Sequence, residues 1–213
     1  MIKIKNLYFN FKLEPIVNIF NNKVKGYEIL SCPHDLFVNA ETYFNSLPNE
    51  MLAHIFYEQL YFFNMECFHN PTLVRNLFIN APLSLLISDN FILSIYKYIQ
   101  AVNLNIEIQY TPHILKSQLL NQIRCSLPYR VNVWVDDVDI KTEKIVPVKG
   151  IGLKIDKYSF WNAYEKKSDM NELYSFCPDF LIIEGIETTS HLEYLMKNNI
   201  TLAQGYYWPS KKY

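Results

Sequence analysis

Short apolar runs along this chain finish on, or just before, side chains that can carry charge or offer an oxygen: Glu28, Asn80, Glu107, Asp136, Lys154, Glu184 and Gln204. Carboxylates and amide oxygens are the donors that hard divalent cations prefer. A lysine among them can stabilise negative charge that develops during a reaction. Taken singly, each of these residues reads as a solvated strand end, and a pair such as Asp136-Asp137 as a turn. Seven in one chain have a geometric explanation, because the C-terminal strand ends of a β/α barrel converge on one face, where active sites are built.

The elements that would position these residues follow the alternation expected of repeated β/α units. Leu13–Ile19 and Val24–Leu30 read as two strands joined by the turn-rich Asn21-Asn22-Lys23. After Pro48-Asn49-Glu50, the residues Met51, Leu52, Ile55, Phe56, Leu60 and Phe63 recur at three- and four-residue spacing, which predicts a helix. Further strands are expected at Leu77–Asn80, Asn105–Gln109, Val131–Asp136, Gly152–Asp156, Phe180–Glu184 and Thr201–Gln204. Helical patterns lie between them, around Leu83–Ile99, Leu115–Ile123, Phe160–Phe176 and Ser190–Lys197. The expected architecture is an α/β, modified TIM-type barrel, and residues 1–213 read as one domain.

Composition narrows the field. Half of the 213 residues are hydrophobic and 15% are aromatic, enough for a sizeable core. No apolar run approaches the roughly 20 residues that cross a bilayer. The opening Met1-Ile2-Lys3-Ile4-Lys5-Asn6 lacks the apolar stretch of a signal peptide, so the expected location is the cytoplasm, with no membrane contact. A formal charge of −1 gives no electrostatic reason to expect direct nucleic-acid binding. Cys32, Cys67, Cys125 and Cys177 form no CxxC pair, which argues against a zinc ribbon or a disulfide framework. The five histidines are equally scattered and read as surface or satisfied core positions.

Seven segments, in order, resemble the motifs of EAL domains, the family that binds and hydrolyses cyclic di-GMP. Glu28-Ile29-Leu30 resembles the Glu-Ala-Leu signature, and Glu14-Pro15-Ile16-Val17 precedes it where the family usually has Gln-Pro-Ile-Val. Ile79-Asn80, Ile106-Glu107-Ile108 and Val135-Asp136-Asp137 resemble the strands that carry the family's Asn, Glu-x-Thr-Glu and Asp-Asp motifs. Leu153-Lys154-Ile155-Asp156, Glu184-Gly185-Ile186-Glu187-Thr188 and Gln204-Gly205-Tyr206 complete the set. The resemblance implies a Mg²⁺ or Mn²⁺ pair that neutralises a phosphate and activates water. Glu28, Asn80, Glu107 and Asp136 would hold one ion, and Asp136, Asp137 and Glu187 a second. Lys154 would orient the attacking water, with Glu184 and Gln204 supporting these groups from behind.

The departures from the pattern bear on activity. Cys32 stands where many members have an arginine that contacts the ligand phosphate, a charge-assisted contact worth roughly 1.5–3 kcal/mol. Tyr110 replaces the second Glu of Glu-x-Thr-Glu. The family's Phe-Gly-Thr-Gly loop after the paired aspartates is Val138-Asp139-Ile140-Lys141 here, and β-branched residues do not readily take the φ > 0 conformations of glycine. The stretch from Asp137 to Lys154 is shorter than usual, and the barrel is expected to be trimmed there and between Lys154 and Glu184.

The closing Gln204-Gly205-Tyr206-Tyr207-Trp208-Pro209, together with Asn80-Ala81-Pro82, is also similar to short stand-alone EAL-like proteins of enteric bacteria. That group includes a non-catalytic factor that binds the flagellar master activator. The leading expectation is a degenerate EAL protein that regulates motility by binding a protein such as that activator. An active cyclic di-GMP phosphodiesterase forming pGpG and a non-catalytic cyclic di-GMP receptor are the alternatives.

Overall fold

A computed structural model describes residues 2–4, 7–33, 40–70, 73–111, 114, 118–140, 150–168, 170, 173 and 180–213. Strands β1 (Ile2–Ile4), β2 (Leu7–Asn18) and β3 (Lys23–Pro33) open the chain, followed by helices α1 (Ala40–Asn45) and α2 (Asn49–His69). Next come β4 (Asn76–Asn80), α3 (Leu83–Leu86), α4 (Phe91–Tyr96), β5 (Asn103–Gln109), α5 (Gln118–Ser126) and β6 (Val131–Val138). The last elements are β7 (Ile151–Ile155), α6 (Lys157–Glu165), β8 (Leu181–Ile183), α7 (Thr189–Lys197), β9 (Leu202–Ala203) and β10 (Lys211–Lys212). Every strand expected from the sequence is present.

Strands β3 to β9 pair in parallel, in sequence order. Antiparallel β2 closes the ring by pairing β3 on one edge and β9 on the other, through Val17 with Ala203 and Asn18 with Leu202. The barrel is therefore the eight strands β2–β9, a TIM-type architecture with one reversed strand. Pairs from Phe9 with Pro33 to Asn18 with Lys23 make the β2–β3 ladder longer than the other strands, with β1 and β10 on its outer edge.

Period-two alternation decides which residues enter the barrel. Outward-facing Leu77, Ile79, Leu104, Ile106, Ile108, Val133, Val135, Leu153, Ile155, Leu181 and Ile183 pack under the helices in the main core. Their neighbours face inward, where Ile16, Phe78, Trp134, Ile182 and Leu202 form a separate cluster. Phe78 and Trp134 lie 5.1 Å apart, and Phe180 stacks on Trp134 at 5.8 Å. Gly26 and Gly152 leave room for these rings. A Cβ on Gly152 would come within 2.3 Å of the Trp134 ring, and one on Gly26 within 2.8 Å of Phe78.

Helix α2 buries Ile55, Phe56, Leu60, Phe63 and Cys67. Its buried Gln59 donates to Ser31 Oγ (2.8 Å) and to the Ile29 carbonyl (3.3 Å), which fixes the helix to the strand carrying Glu28. The helical pattern expected over 83–99 is two short helices rather than one. Ser88 Oγ donates to the Leu85 carbonyl, and Ser88-Asp89-Asn90 offer the backbone the side-chain alternatives that end helices. Helix α6 stops at Glu165, earlier than the pattern reaching Phe176, and residues 174–179 lie outside the described set, as do 115–117 and Lys141. No helix among the described residues is long and apolar enough to cross a membrane.

Candidate functional site

Two residues toward the C-terminal end from the aromatic floor, the same alternation turns Glu28, Glu107, Asp136, Lys154, Glu184 and Gln204 into the barrel mouth. Lys154 is the hub. Its Nζ lies 3.1 Å from Glu28, 2.9 Å from Glu107, 3.1 Å from Asp136 and 2.9 Å from Glu184. Lys154 and Glu107 expose no surface, and Glu28, Asp136 and Gln204 are buried. Gln204 Nε2 donates to Glu28 Oε2 and, at 3.3 Å, to Glu14 Oε2. Asn80 Nδ2 donates to Glu28 Oε1 at 3.3 Å.

Adjacent residues on a strand point to opposite faces, so Asp136 and Asp137 cannot both face the mouth on regular backbone. A bulge resolves this. The β6–β7 register shifts between Val135 and Val138, and Asp137 adopts φ 55°, a left-handed value that aspartate tolerates better than β-branched residues do. Both carboxylates then reach one cluster. Oxygens of Glu28, Glu107 and Asp136 lie within 4.8 Å of one another, as do those of Asp136, Asp137 and Glu184. The two groups share Asp136, the arrangement of a site for two cations.

One ammonium cannot balance four carboxylates, three of them buried and Glu184 partly exposed. Burial and the neighbouring Glu28 push Glu107 well above the ordinary carboxylate range, against the pull of Lys154. Burial raises Glu184 to about 8 and Asp136 to about 6, with Lys154 opposing and the other carboxylates reinforcing the rise. Burial pushes Glu28 up too, but Lys154 and the hydrogen bonds from Gln204, Lys154 and Asn80 hold it below its usual value. Lys154 loses solvation on burial, yet Asp136, Glu107, Glu184 and Glu28 hold its pKa well above the ordinary lysine value. Glu107 Oε2 and Gln204 Oε1 are buried without a hydrogen-bond partner, while Glu107 Oε1 and Asp136 Oδ1 are met by Lys154 Nζ. Orphaned oxygens beside excess negative charge fit a hard divalent cation such as Mg²⁺ or Mn²⁺.

Of the nine residues expected to form the site, Glu28, Glu107, Asp136, Asp137, Lys154, Glu184 and Gln204 converge here, with Asn80 at the edge, bonded to Glu28. Glu187 is exposed and lies outside both acidic groups; its backbone N–H donates to His191 Nδ1. Glu184, expected behind the other carboxylates, stands among them.

Three residues not assigned to the site from the sequence contribute to it: Glu14, read only as part of a motif and bonded to Gln204; Lys12, ion-paired to Glu14; and Gln109, whose Nε2 donates to Asp137 Oδ2 at 3.0 Å. Period two is the signal that reaches them, since Lys12 precedes Glu14 by two residues and Gln109 follows Glu107 by two. Other motif residues prove structural. Asp156 caps α6 by accepting from Ser159 N, and Thr188 caps α7 by accepting from His191 N. Gly185, at φ 78°, is packed so closely that a Cβ would meet Lys157 Cβ at 2.5 Å.

No protein-family model and no curated protein sequence matches this chain. Solved structures do. The EAL-like domain protein YdiV superposes with a TM-score of 0.73 at 15% identity, covering 96% of this chain and 93% of that one. The FimX EAL domain from Pseudomonas aeruginosa, bound to c-di-GMP, gives 0.70 at 16%, covering 93% and 88%. The EAL enzyme Bd1971, in its cAMP- and cyclic-di-GMP-bound form, gives 0.70 at 17% and covers 95% of this chain; the chain spans 61% of Bd1971's length. Klebsiella pneumoniae BlrP1, in a calcium and cy-diGMP complex, gives 0.73 at 17%, covering 96% and 56%. The fold is that of EAL domains.

Proposed function

We propose that this chain binds cyclic di-GMP through divalent cations at the barrel mouth and hydrolyses it to linear pGpG. The observation that carries this reading is the set of Glu28, Glu107, Asp136 and Glu184 around one buried lysine, with Asp137 bulged toward it. A Mg²⁺ or Mn²⁺ pair bound there would neutralise a phosphate and make bound water nucleophilic at neutral pH.

The chain's own residues supply the rest. Lys154 holds four carboxylates in one geometry, a preorganisation that limits rearrangement during the reaction. Glu184, 2.9 Å from Lys154 and grouped with Asp136 and Asp137, would in its deprotonated form take the proton of the attacking water as the water oxygen bonds to phosphorus. The phosphorus–O3′ bond breaks, the departing oxygen takes up a proton, and the ring opens. Gln204 Oε1, buried with its acceptor capacity unused, faces the same mouth. The solved c-di-GMP complexes of FimX and BlrP1 support the choice of ligand class. The test is incubation with cyclic di-GMP and Mn²⁺, comparing wild type with Asp136→Ala: pGpG from wild type alone supports the reading, and no product from either opposes it.

A second reading has the chain regulate by binding a protein such as the flagellar activator. It is supported by Cys32, standing where many EAL domains have a phosphate-contacting arginine, and by an apolar stripe on α2, where Tyr61, Met65 and Phe68 are exposed at helical spacing.

A further inference from the structure

Asp137 is the one acidic residue of the mouth that stands on left-handed backbone, and two independent contacts hold it there. From β5, Gln109 Nε2 donates to Asp137 Oδ2 at 3.0 Å. Gln109 belongs to the same inward alternation as Asn105 and Glu107, and its partner across the β5–β6 ladder is Asp136. The Tyr110 N–H donates to the Asp136 carbonyl at 3.0 Å, which carries the ladder into the bulge.

On the other side the chain is fastened to α6. The Asp156 N–H donates to the Val138 carbonyl (3.1 Å), and the Ile140 N–H donates to Ser159 Oγ (3.1 Å). Ser159 Oγ in turn donates to Asp139 Oδ1 (3.0 Å), and Ser159 N–H donates to Asp156 Oδ2 (2.9 Å). Backbone in a sparsely populated region persists when its surroundings over-determine it. Here strand β5 and helix α6 do so from opposite sides, with no glycine in the turn.

Asp137 is held beside Asp136 and Glu184, with carboxylate oxygens of the three within 4.8 Å of one another. We propose that Gln109 is a positioning residue for the second divalent cation, orienting the Asp137 carboxylate toward the position it shares with Asp136 and Glu184. This rests on the cation-binding reading of the site. Gln109 engages one Asp137 oxygen and leaves the other to ligate. Partners that orient a ligand in this way are worth about 10–100-fold in metal affinity.

The experiment is calorimetric titration of Mn²⁺ into the metal-free full chain, with electron paramagnetic resonance to detect spin coupling between two ions. Wild type is expected to bind two Mn²⁺ and show coupling. Gln109→Ala and Gln109→Leu, changes at an exposed position, are expected to keep the tighter ion within about twofold and weaken the other at least about tenfold, with the coupled signal lost. Two ions bound with unchanged affinities in both variants would overturn the positioning role and leave the cation site standing. One ion or none in wild type would overturn both.

Discussion

Lys154 Nζ lies 2.9 Å from Glu107 Oε1, and neither side chain exposes any surface. Removing one partner of a buried ion pair leaves the other charge uncompensated and is strongly destabilising. Lys154→Met is therefore expected to lower the stability of the metal-free protein by about 3 kcal/mol in urea titrations. Adding Glu107→Gln should recover part of that loss, because the amide needs no counter-charge. Equal stability of the single and double variants would show that the cage is not electrostatically coupled.

The same excess charge sets a pH dependence. Asp136 and Glu184 titrate at about 6 and about 8 in the folded protein, above ordinary carboxylate values. Between roughly pH 4.5 and 8 the folded state thus binds more protons than the unfolded one, so stability falls as pH rises. Melting temperature of the metal-free protein should drop from pH 5.5 to pH 8.5. The rise in melting temperature that Mn²⁺ produces should grow over the same interval, because ions displace those protons. A flat profile in both series would contradict the coupling.

Much of this was legible from local pattern. Alternation along each strand determines both its buried face and what its last inward residue offers, so Glu28, Glu107, Asp136, Lys154 and Gln204 could be placed at the mouth from spacing. Helix α2 could be read for the same reason, through the recurrence of Ile55, Phe56, Leu60 and Phe63. What could not be read depends on contacts between distant segments. Loss of the glycine turn after Asp137 suggested lost support, yet the left-handed residue is Asp137 itself, and neither Val138 nor Ile140 needs that conformation. Its restraints come from Gln109 and Ser159, far away in sequence. Likewise Ser88-Asp89-Asn90 divides a periodic stretch into two helices through side-chain competition that hydrophobic spacing does not register.

The floor beneath the site supplies a packing test. Gly152→Ala would drive a methyl group into the Trp134 ring from 2.3 Å, and overpacking of this kind costs about 1–3 kcal/mol. Gly152→Ala should lower the urea midpoint, and adding Trp134→Leu should restore most of it. A neutral Gly152→Ala would mean that the ring moves freely.

The two functional readings separate in cells. If the chain acts only by binding a protein, a Glu28→Ala/Asp136→Ala variant should repress motility as fully as wild type, whereas Tyr61→Ser/Phe68→Ser should not. If it acts by hydrolysis, the reverse is expected, and soft-agar swimming assays of both variants distinguish the cases.

The most direct measurement follows cyclic di-GMP by chromatography during incubation with the protein and Mn²⁺. The proposed site predicts conversion to pGpG that a chelator stops and that Glu28→Ala or Asp136→Ala abolishes. Cyclic di-GMP that stays intact with stoichiometric, folded wild-type protein would contradict it.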